Sequence, residues 1–226
     1  MYRGKIIVID GTDGSGKATQ AKLLVAKLKR RRIPVATLDF PHYESFTGKL
    51  VARYLKNEFG RISPYLASLL YAINRYEYKN QILDWIKAGK VIILNRYVSA
   101  NQIHQAAHLG SKKAKQEFVD WVAKLEFQVM GMPSPSLTLF LNLPVEISYQ
   151  LIKKKNKQSR KYISGVKRDI LESDLEHQKE ALKQAFVLLR GEQNWKKIDC
   201  VKNGKLLSKP KIADLIWQEV SKQLKI

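Results

Sequence analysis

The sequence predicts an α/β domain in three layers, α/β/α, built on a mainly parallel five-stranded sheet. Three observations predict it. Short apolar runs alternate with amphipathic helical stretches along the chain. The runs are continuous rather than alternating, as expected of strands buried on both faces. The first run ends in a glycine-rich turn that opens directly into a helix. With 226 residues, 45% of them hydrophobic, the chain can fill one such core, so a single domain over 1–226 is expected.

The elements follow in order. Lys5–Asp10, KIIVID, reads as the first strand. The helix after the turn runs over Lys17–Arg31, with Leu23, Leu24, Val25, Ala26 and Leu28 as its apolar positions. Val35–Phe40 reads as a second strand. Helical stretches follow at Thr47–Asn57 and, long and aromatic-rich, at Pro64–Ala88. Gly89 stops the latter before the strand Val91–Leu94. A helix over Ser111–Phe127 precedes the strand Leu137–Leu143. Pro133, Pro135 and Pro144 bound that strand, because proline cannot continue a helix interior. A helix from Pro144 leads into the charged run KKKNKQSRK. Asp169–Leu189 reads as helix, Trp195–Val201 as the last strand and Lys211–Leu224 as the final helix. Parallel strands joined through helices imply right-handed crossovers.

Composition excludes several classes. Cys200 is the single cysteine, so neither a disulfide framework nor a Cys-rich zinc site can form, and the lone thiol fits a reducing compartment. No apolar run approaches the roughly 18 residues of a membrane span. The N-terminal apolar run is too short for a secretory signal and reads as a strand, which makes a cytoplasmic protein the expectation. The charge is less ordinary: 41 basic against 20 acidic residues give +21, a field that attracts anionic substrates. The basic residues are spread along the chain without an aromatic-interleaved motif. A phosphate site on a solvated basic surface is therefore preferred, with nucleic acid left open as a partner.

The strongest signal is Gly11-Thr12-Asp13-Gly14-Ser15-Gly16-Lys17, which fits G-x-x-x-x-G-K between a strand and a helix. Glycines let the backbone wrap phosphate oxygens and present its N–H groups, and the lysine reaches the β- and γ-phosphates. The motif makes the fold P-loop NTPase-type. The position after Lys17 ordinarily carries a Ser or Thr hydroxyl for Mg²⁺, but here it is Ala18. Thr19 is the nearest hydroxyl, although one residue on a helix rotates it by ~100°. Ser15 is a second hydroxyl, within the loop itself.

The segment IIVIDGTDGSGKATQAKLL resembles the N-terminus of thymidylate kinases, which phosphorylate dTMP to dTDP with ATP and Mg²⁺. Four further segments, in the same order, are similar to the family. They are Phe40-Pro41 after the second strand, YAINRY over Tyr71–Tyr76, Asn95-Arg96-Tyr97 after VIIL, and LTLFLNLP before the charged run. The resemblance implies a cytoplasmic nucleotide kinase, commonly a homodimer. It places ATP on Gly11, Thr12, Asp13, Gly14, Ser15, Gly16, Lys17, Ala18 and Thr19. Mg²⁺ would be held near Thr19 and Asn95, where the family usually has Asp rather than Asn.

It places dTMP on Phe40, Pro41, Tyr43, Tyr71, Arg75, Arg96, Asn101, His104 and Gln105. Tyr71 would lie against the thymine ring and Arg75, one turn on, would hydrogen-bond the base. Taken alone, Tyr71 reads rather as core of an aromatic helix, and Arg75 on the same face turns the reading toward the base. Arg96 would bind the substrate phosphate at the carboxyl end of a strand, where open α/β sheets bind ligands, or else stand in a surface ion pair. Asp13 would orient acceptor phosphate or sugar, or serve only the turn. Asn101 would read the thymine edge. His104 would stand beside the sugar where the family has an aromatic residue, or lie on a helix surface.

The basic stretch at about 153–168 resembles the family's lid, closing over the donor and excluding water, though it also reads as a solvated loop. Some members carry an arginine in the phosphate loop; here that position is Gly14, so the lid would supply it, with Arg160 ahead of Arg168. Asp169 and Glu172 resemble the acidic pair that follows the lid. Lys17, Arg96, Arg160 and Asp13 are thus the candidate catalytic residues. Two rivals remain. One is another nucleotide or deoxynucleoside kinase, but a nucleoside kinase needs a carboxylate base for a neutral hydroxyl and position 95 is Asn. The other is a catalytically weak nucleotide or nucleic-acid binder, suggested by Ala18, Asn95 and the charge, with binding but no turnover.

Overall fold

A computed structural model of the protein describes residues 4–154 and 175–226. Five strands form one sheet: β1 (Lys5–Gly11), β2 (Val35–Asp39), β3 (Val91–Asn95), β4 (Leu137–Asn142) and β5 (Trp195–Asp199). Their order is β2-β3-β1-β4-β5 and every neighbouring pair is parallel. The central strand β1 is buried from Ile6 to Gly11 because both of its faces are covered. Ile7 and Ile9 pack with Leu24 and Leu28 of α1 (Lys17–Arg30) and Ile216 and Val220 of α9 (Lys209–Leu224). Ile6 and Val8 face the opposite layer, with Ile82, Ile103, Phe118 and Ala185.

The opposite layer contains α4 (Lys79–Lys87), α5 (Val98–Ala100), α6 (Lys112–Ala123) and α8 (Leu175–Gly191). A smaller cluster joins α2 (Phe46–Leu55) to α3 (Pro64–Tyr76) through Val51, Tyr54, Leu55 and Ala67. The helix α7 (Val145–Lys154) follows β4. A two-stranded hairpin, β6 (Val201–Lys202) and β7 (Lys205–Leu206), precedes α9.

Two expectations are corrected, and two helical continuations are added. In α1 the buried apolar residues are Ala21, Leu24 and Leu28, whereas Leu23 and Ala26 face outward. The stretch Pro64–Ala88 is two helices, not one. It breaks at Glu77–Tyr78, where the Tyr78 ring packs edge-on against Phe40 and its hydroxyl meets His42 Nδ1 at 2.9 Å. The polar run after Tyr97 is helical: α5 continues as a π-helical turn, Asn101–Gln105, and a 3₁₀ turn, Ala106–His108. The helix α6 likewise continues as a π-helical turn, Lys124–Val129. Asp169 and Glu172, with Arg160, Arg168 and nearly all of the proposed lid, lie outside the described residues.

Cys200 is buried, and burial with Asp199 beside it pushes its thiol up to about 12. That keeps it in the unreactive protonated form at neutral pH.

Candidate active site

The first strand ends in the middle of the sheet, so the turn after it opens at the carboxyl edge between β3 and β4. Asp10, fully buried at the strand end, accepts from its neighbour Gly11 N at 2.9 Å and from Ser99 Oγ at 2.5 Å. This ties the loop to α5. Gly14 and Gly16 take left-handed φ values of 79° and 90°, which L side chains rarely adopt. A Cβ on Gly14 would stand 2.7 Å from Ser148 O and 2.8 Å from Ile152 Cγ1 of α7. An arginine therefore has no room at position 14.

Lys17 donates to the carbonyls of Gly11 at 2.9 Å and Thr12 at 2.8 Å, and lies 3.9 Å from Asp13 Oδ1. It is folded over the loop it follows. The hydroxyls of Thr12 and Ser15 are buried and have no hydrogen-bond partner among the described residues. Buried polar atoms without partners are uncommon and mark places where a ligand, ion or water can bond.

Arg96 is the centre of the charge network. Its φ is 65°, a left-handed value, and its N–H donates to Ile9 O at 3.0 Å. That backbone sets its side chain over the phosphate loop. Its Nη2 donates to Asp13 Oδ1, and its Nη1 lies 3.9 Å from Asp10 Oδ1. Burial disfavours the Arg96 charge, but Asp13 and Asp10 outweigh it and hold the guanidinium above its ordinary pKa, with Tyr43 and Tyr71 adding to the effect. Burial also opposes the Asp13 charge, yet Arg96, Lys17 and a hydrogen bond from Gln178 hold that carboxyl well below the usual carboxylate range. The pair stays ionised at neutral pH.

Gln178 of α8 clamps Asp13 from the other side. Its Oε1 accepts from the Asp13 N–H at 3.3 Å and its Nε2 donates to Asp13 Oδ2 at 3.1 Å.

Tyr43 and Tyr71 belong to other elements, the turn after β2 and α3. Asn74, fully buried on α3, accepts from His42 N at 2.8 Å and donates to Ser45 Oγ at 3.0 Å and Thr47 Oγ1 at 3.1 Å. It thereby fixes the turn that carries Pro41 and Tyr43. Tyr71 is half-buried, with its ring edge-on to Tyr54. Phe40, at the start of this turn, is buried between Tyr78 and Tyr97.

Arg75, expected to present its fork to a base, spends most of it inside the protein. Its Nε and Nη2 each donate at 2.6 Å to Glu126, one to each carboxylate oxygen. Asn101 Nδ2 donates to Ser68 O at 3.1 Å and Glu126 Oε1 at 3.4 Å. Gln105 and His104 are buried beside it, and Gln105 Oε1 and His104 Nε2 have no partner among the described residues. Asn95 Oδ1, at the end of β3, is likewise buried without a partner among them. Thr19 is half-buried in the first turn of α1, while Ala18 opens onto a groove of about 400 Å³ shared with Lys22, Thr37, Asp39 and His42.

His104 is not a surface histidine. It lies 6.1 Å, ring to ring, from His177, which stacks on His108 at 4.2 Å. Burial, with Arg96, His177 and Lys17 nearby, lowers its pKa well below the ordinary value, and only Asp13 opposes this. The unfolded chain therefore binds a proton below pH ~6.5 that the folded chain refuses. Stability is full above that pH and is lost as pH falls toward the folded pKa, by at most about 1.4 kcal/mol per pH unit for one proton. Thermal unfolding between pH 7 and 5 should show this loss, and His104→Gln should flatten it. An unchanged slope in His104→Gln would refute the assignment.

The structure thus joins Lys17, Asp13 and Arg96 in one ion-paired network, sets Tyr43, Tyr71 and His104 within electrostatic reach of it, and joins Arg75 to Asn101 through a third residue. Asp10, Ser99, Gln178 and Glu126 escape the sequence reading. Asp10 passes as the end of a strand, and Glu126 as one charge on an amphipathic helix.

The comparisons with known proteins agree with this geometry. The family model described as thymidylate kinase matches residues 9–206. Thymidylate kinase of Plasmodium falciparum (isolate 3D7) is 32% identical over 142 residues, covering 63% of this chain and 63% of that protein. The Homo sapiens thymidylate kinase is 32% identical over 142 residues, covering 62% of each. These alignments span less than two thirds of those relatives. A solved structure of thymidylate kinase from Candida albicans superposes with a TM-score of 0.74 at 26% identity, covering 98% of this chain and 93% of that one. With a P-loop on a five-stranded parallel sheet and a family match across most of its length, the chain belongs to the thymidylate kinase family.

Proposed function

We propose that this protein transfers the γ-phosphate of ATP to dTMP, giving dTDP and ADP. The observation that carries the reading is Arg96, which stands at the carboxyl end of β3 and is ion-paired to Asp13 of the phosphate loop and to Asp10 before it, with Tyr43 and Tyr71 within electrostatic reach. One cation between a donor site and an acceptor site can serve both phosphates. The loop backbone and Lys17 would hold the donor, Arg96 and Tyr43 the acceptor phosphate, and Tyr71, Arg75 and Asn101 the base. Asp13, fixed by Gln178 and held ionised, would set the position of Arg96. No strong base is needed, because the acceptor phosphate is already anionic near neutral pH. In-line attack then depends on positioning and on cations matched to the developing charge. Arg160, from the lid at about 153–168, is proposed as a further cation.

The donor set suits Mg²⁺, which takes oxygen ligands and keeps several waters. The buried Asn95 Oδ1, without a partner among the described residues, and the Ser15 hydroxyl are the oxygens that would face it. Thr19 is the remaining candidate. When bound, the metal would neutralise charge on the donor phosphates.

The outer face of α3 exposes Leu66, Ile73 and Tyr76, and Phe46 and Val129 are exposed as well. Such apolar surface supports a homodimer, which light scattering on the eluting protein reads directly. Among the described residues no helix is long and apolar enough to cross a membrane. A cytoplasmic location is part of the proposal.

The Candida albicans relative has a broad substrate specificity, so the acceptor range here needs a panel. ADP formation is measured with ATP, Mg²⁺ and each of dTMP, dUMP, UMP, dCMP and AMP. Turnover greatest with dTMP supports the reading. ATP binding with no turnover on any acceptor would replace it with a nucleotide-binding role.

A further inference from the structure

The geometry points to Glu126 as a positioning residue that sets which base the acceptor site accepts; this rests on the kinase reading above. Glu126 is fully buried, 51 residues from the arginine it holds and 25 from the asparagine. A carboxylate only accepts hydrogen bonds, so each group facing it must turn a donor toward it. Arg75 does so with Nε and Nη2, and Asn101 with Nδ2, whose other hydrogen goes to the carbonyl of Ser68. Both of those neighbours are pure acceptors, which fixes the Asn101 amide with its nitrogen inward.

The consequence is a polarity. With Nδ2 committed, Asn101 has only Oδ1, an acceptor, to offer a ligand. Arg75 has only donors, and its Nη1 is not paired among the described residues. A donor beside an acceptor complements an imide edge, where a carbonyl adjoins an N–H. Thymine and uracil present that edge as O4 and N3–H. Cytosine presents the reverse, an amino donor beside an unprotonated ring nitrogen, and would leave buried groups unpaired. Both residues that meet here, Asn101 and Glu126, sit in the two π-helical turns, a local rewinding frequent at functional sites.

Glutamine at position 126 would break this polarity while keeping shape. Its oxygen can still accept from Arg75, but its amino group then faces Asn101 Nδ2, donor against donor, and only Ser68 O still favours the inward nitrogen. Asn101 loses one of its two inward acceptors, so the orientation with Nδ2 toward the ligand becomes populated. In Glu126→Gln the ratio of kcat/KM for dTMP over dCMP should fall at least tenfold, with the ratio of dTMP over dUMP unchanged. Glu126→Asp, which keeps the charge, should retain more of the dTMP preference. A purely structural role would lower all three substrates by a common factor and overturn the proposal.

A second measurement needs no variant. In the wild type the Asn101 side-chain amide protons, followed by NMR, should resist solvent exchange both with and without dTMP. Rapid exchange in the free protein, with protection only when dTMP binds, would place Nδ2 toward the ligand and overturn the proposal even if Glu126→Gln fails to fold. Wild-type inactivity on every acceptor would sink the kinase reading alone, because this amide measurement still decides the role of Glu126.

Discussion

Lys17→Met should lower kcat/KM for phosphoryl transfer by about 10²–10³-fold, the loss typical when one aimed donor to a developing charge is removed. Methionine keeps the apolar stem and deletes only the ammonium. That ammonium has two backbone carbonyls and Asp13 as its neighbours, all belonging to the phosphate loop. A charge held there by the loop acts on whatever phosphate the loop wraps. The loss should fall on kcat as well as on kcat/KM, because charge accumulates on the transferring group in the transition state. Steady-state kinetics with ATP and dTMP give both values. A loss below tenfold would mean that Lys17 serves only the folding of the loop.

Arg96→Met should cost a similar factor in kcat/KM and, unlike Lys17→Met, should also weaken dTMP. The guanidinium is held by Asp13 and Asp10 beside the phosphate loop, within electrostatic reach of Tyr43 and Tyr71, so its removal takes the cation from between the proposed donor and acceptor sites. The side chains of Arg96 and Asp13 keep 18% and 17% exposure, so the stability cost should be about 1–3 kcal/mol. A fully buried pair that loses one partner costs ~3–5 kcal/mol. Arg96→Lys restores a charge but not the planar fork and should recover only part of the rate. Kinetics and thermal unfolding of the two variants check this. An Arg96→Met protein with wild-type dTMP KM would detach Arg96 from the acceptor.

The sheet was legible because its strands are buried on both faces and carry continuous apolar runs, as Ile6–Ile9 and Val91–Leu94 do. The phosphate loop was legible because its chemistry is local: glycines and a lysine at fixed spacing. The helix after Tyr97 was not, since Asn101, Gln102, His104 and Gln105 are polar yet buried, and hydropathy assigns such a run to the surface. Tertiary partners account for two of them: Gln102 donates to Val119 O, and Asn101 to Ser68 O and Glu126. Glu126 escaped for a related reason: its partner Arg75 lies on another helix, and no local pattern announces an ion pair formed by tertiary structure. The break at Glu77–Tyr78 has no glycine or proline to mark it and is held by contacts with Phe40 and His42. The hairpin did carry a signal that the reading passed over. Asn203-Gly204, with φ of 50° and 72°, is the dipeptide and backbone that a tight two-residue turn prefers.

The central claim is transfer of one phosphate from ATP to dTMP. Phosphorus-31 NMR of the purified protein with ATP, Mg²⁺ and dTMP observes it directly. The claim predicts that the γ signal of ATP declines while ADP and dTDP grow in equal amounts. Release of inorganic phosphate without dTDP, or an unchanged spectrum, would contradict it.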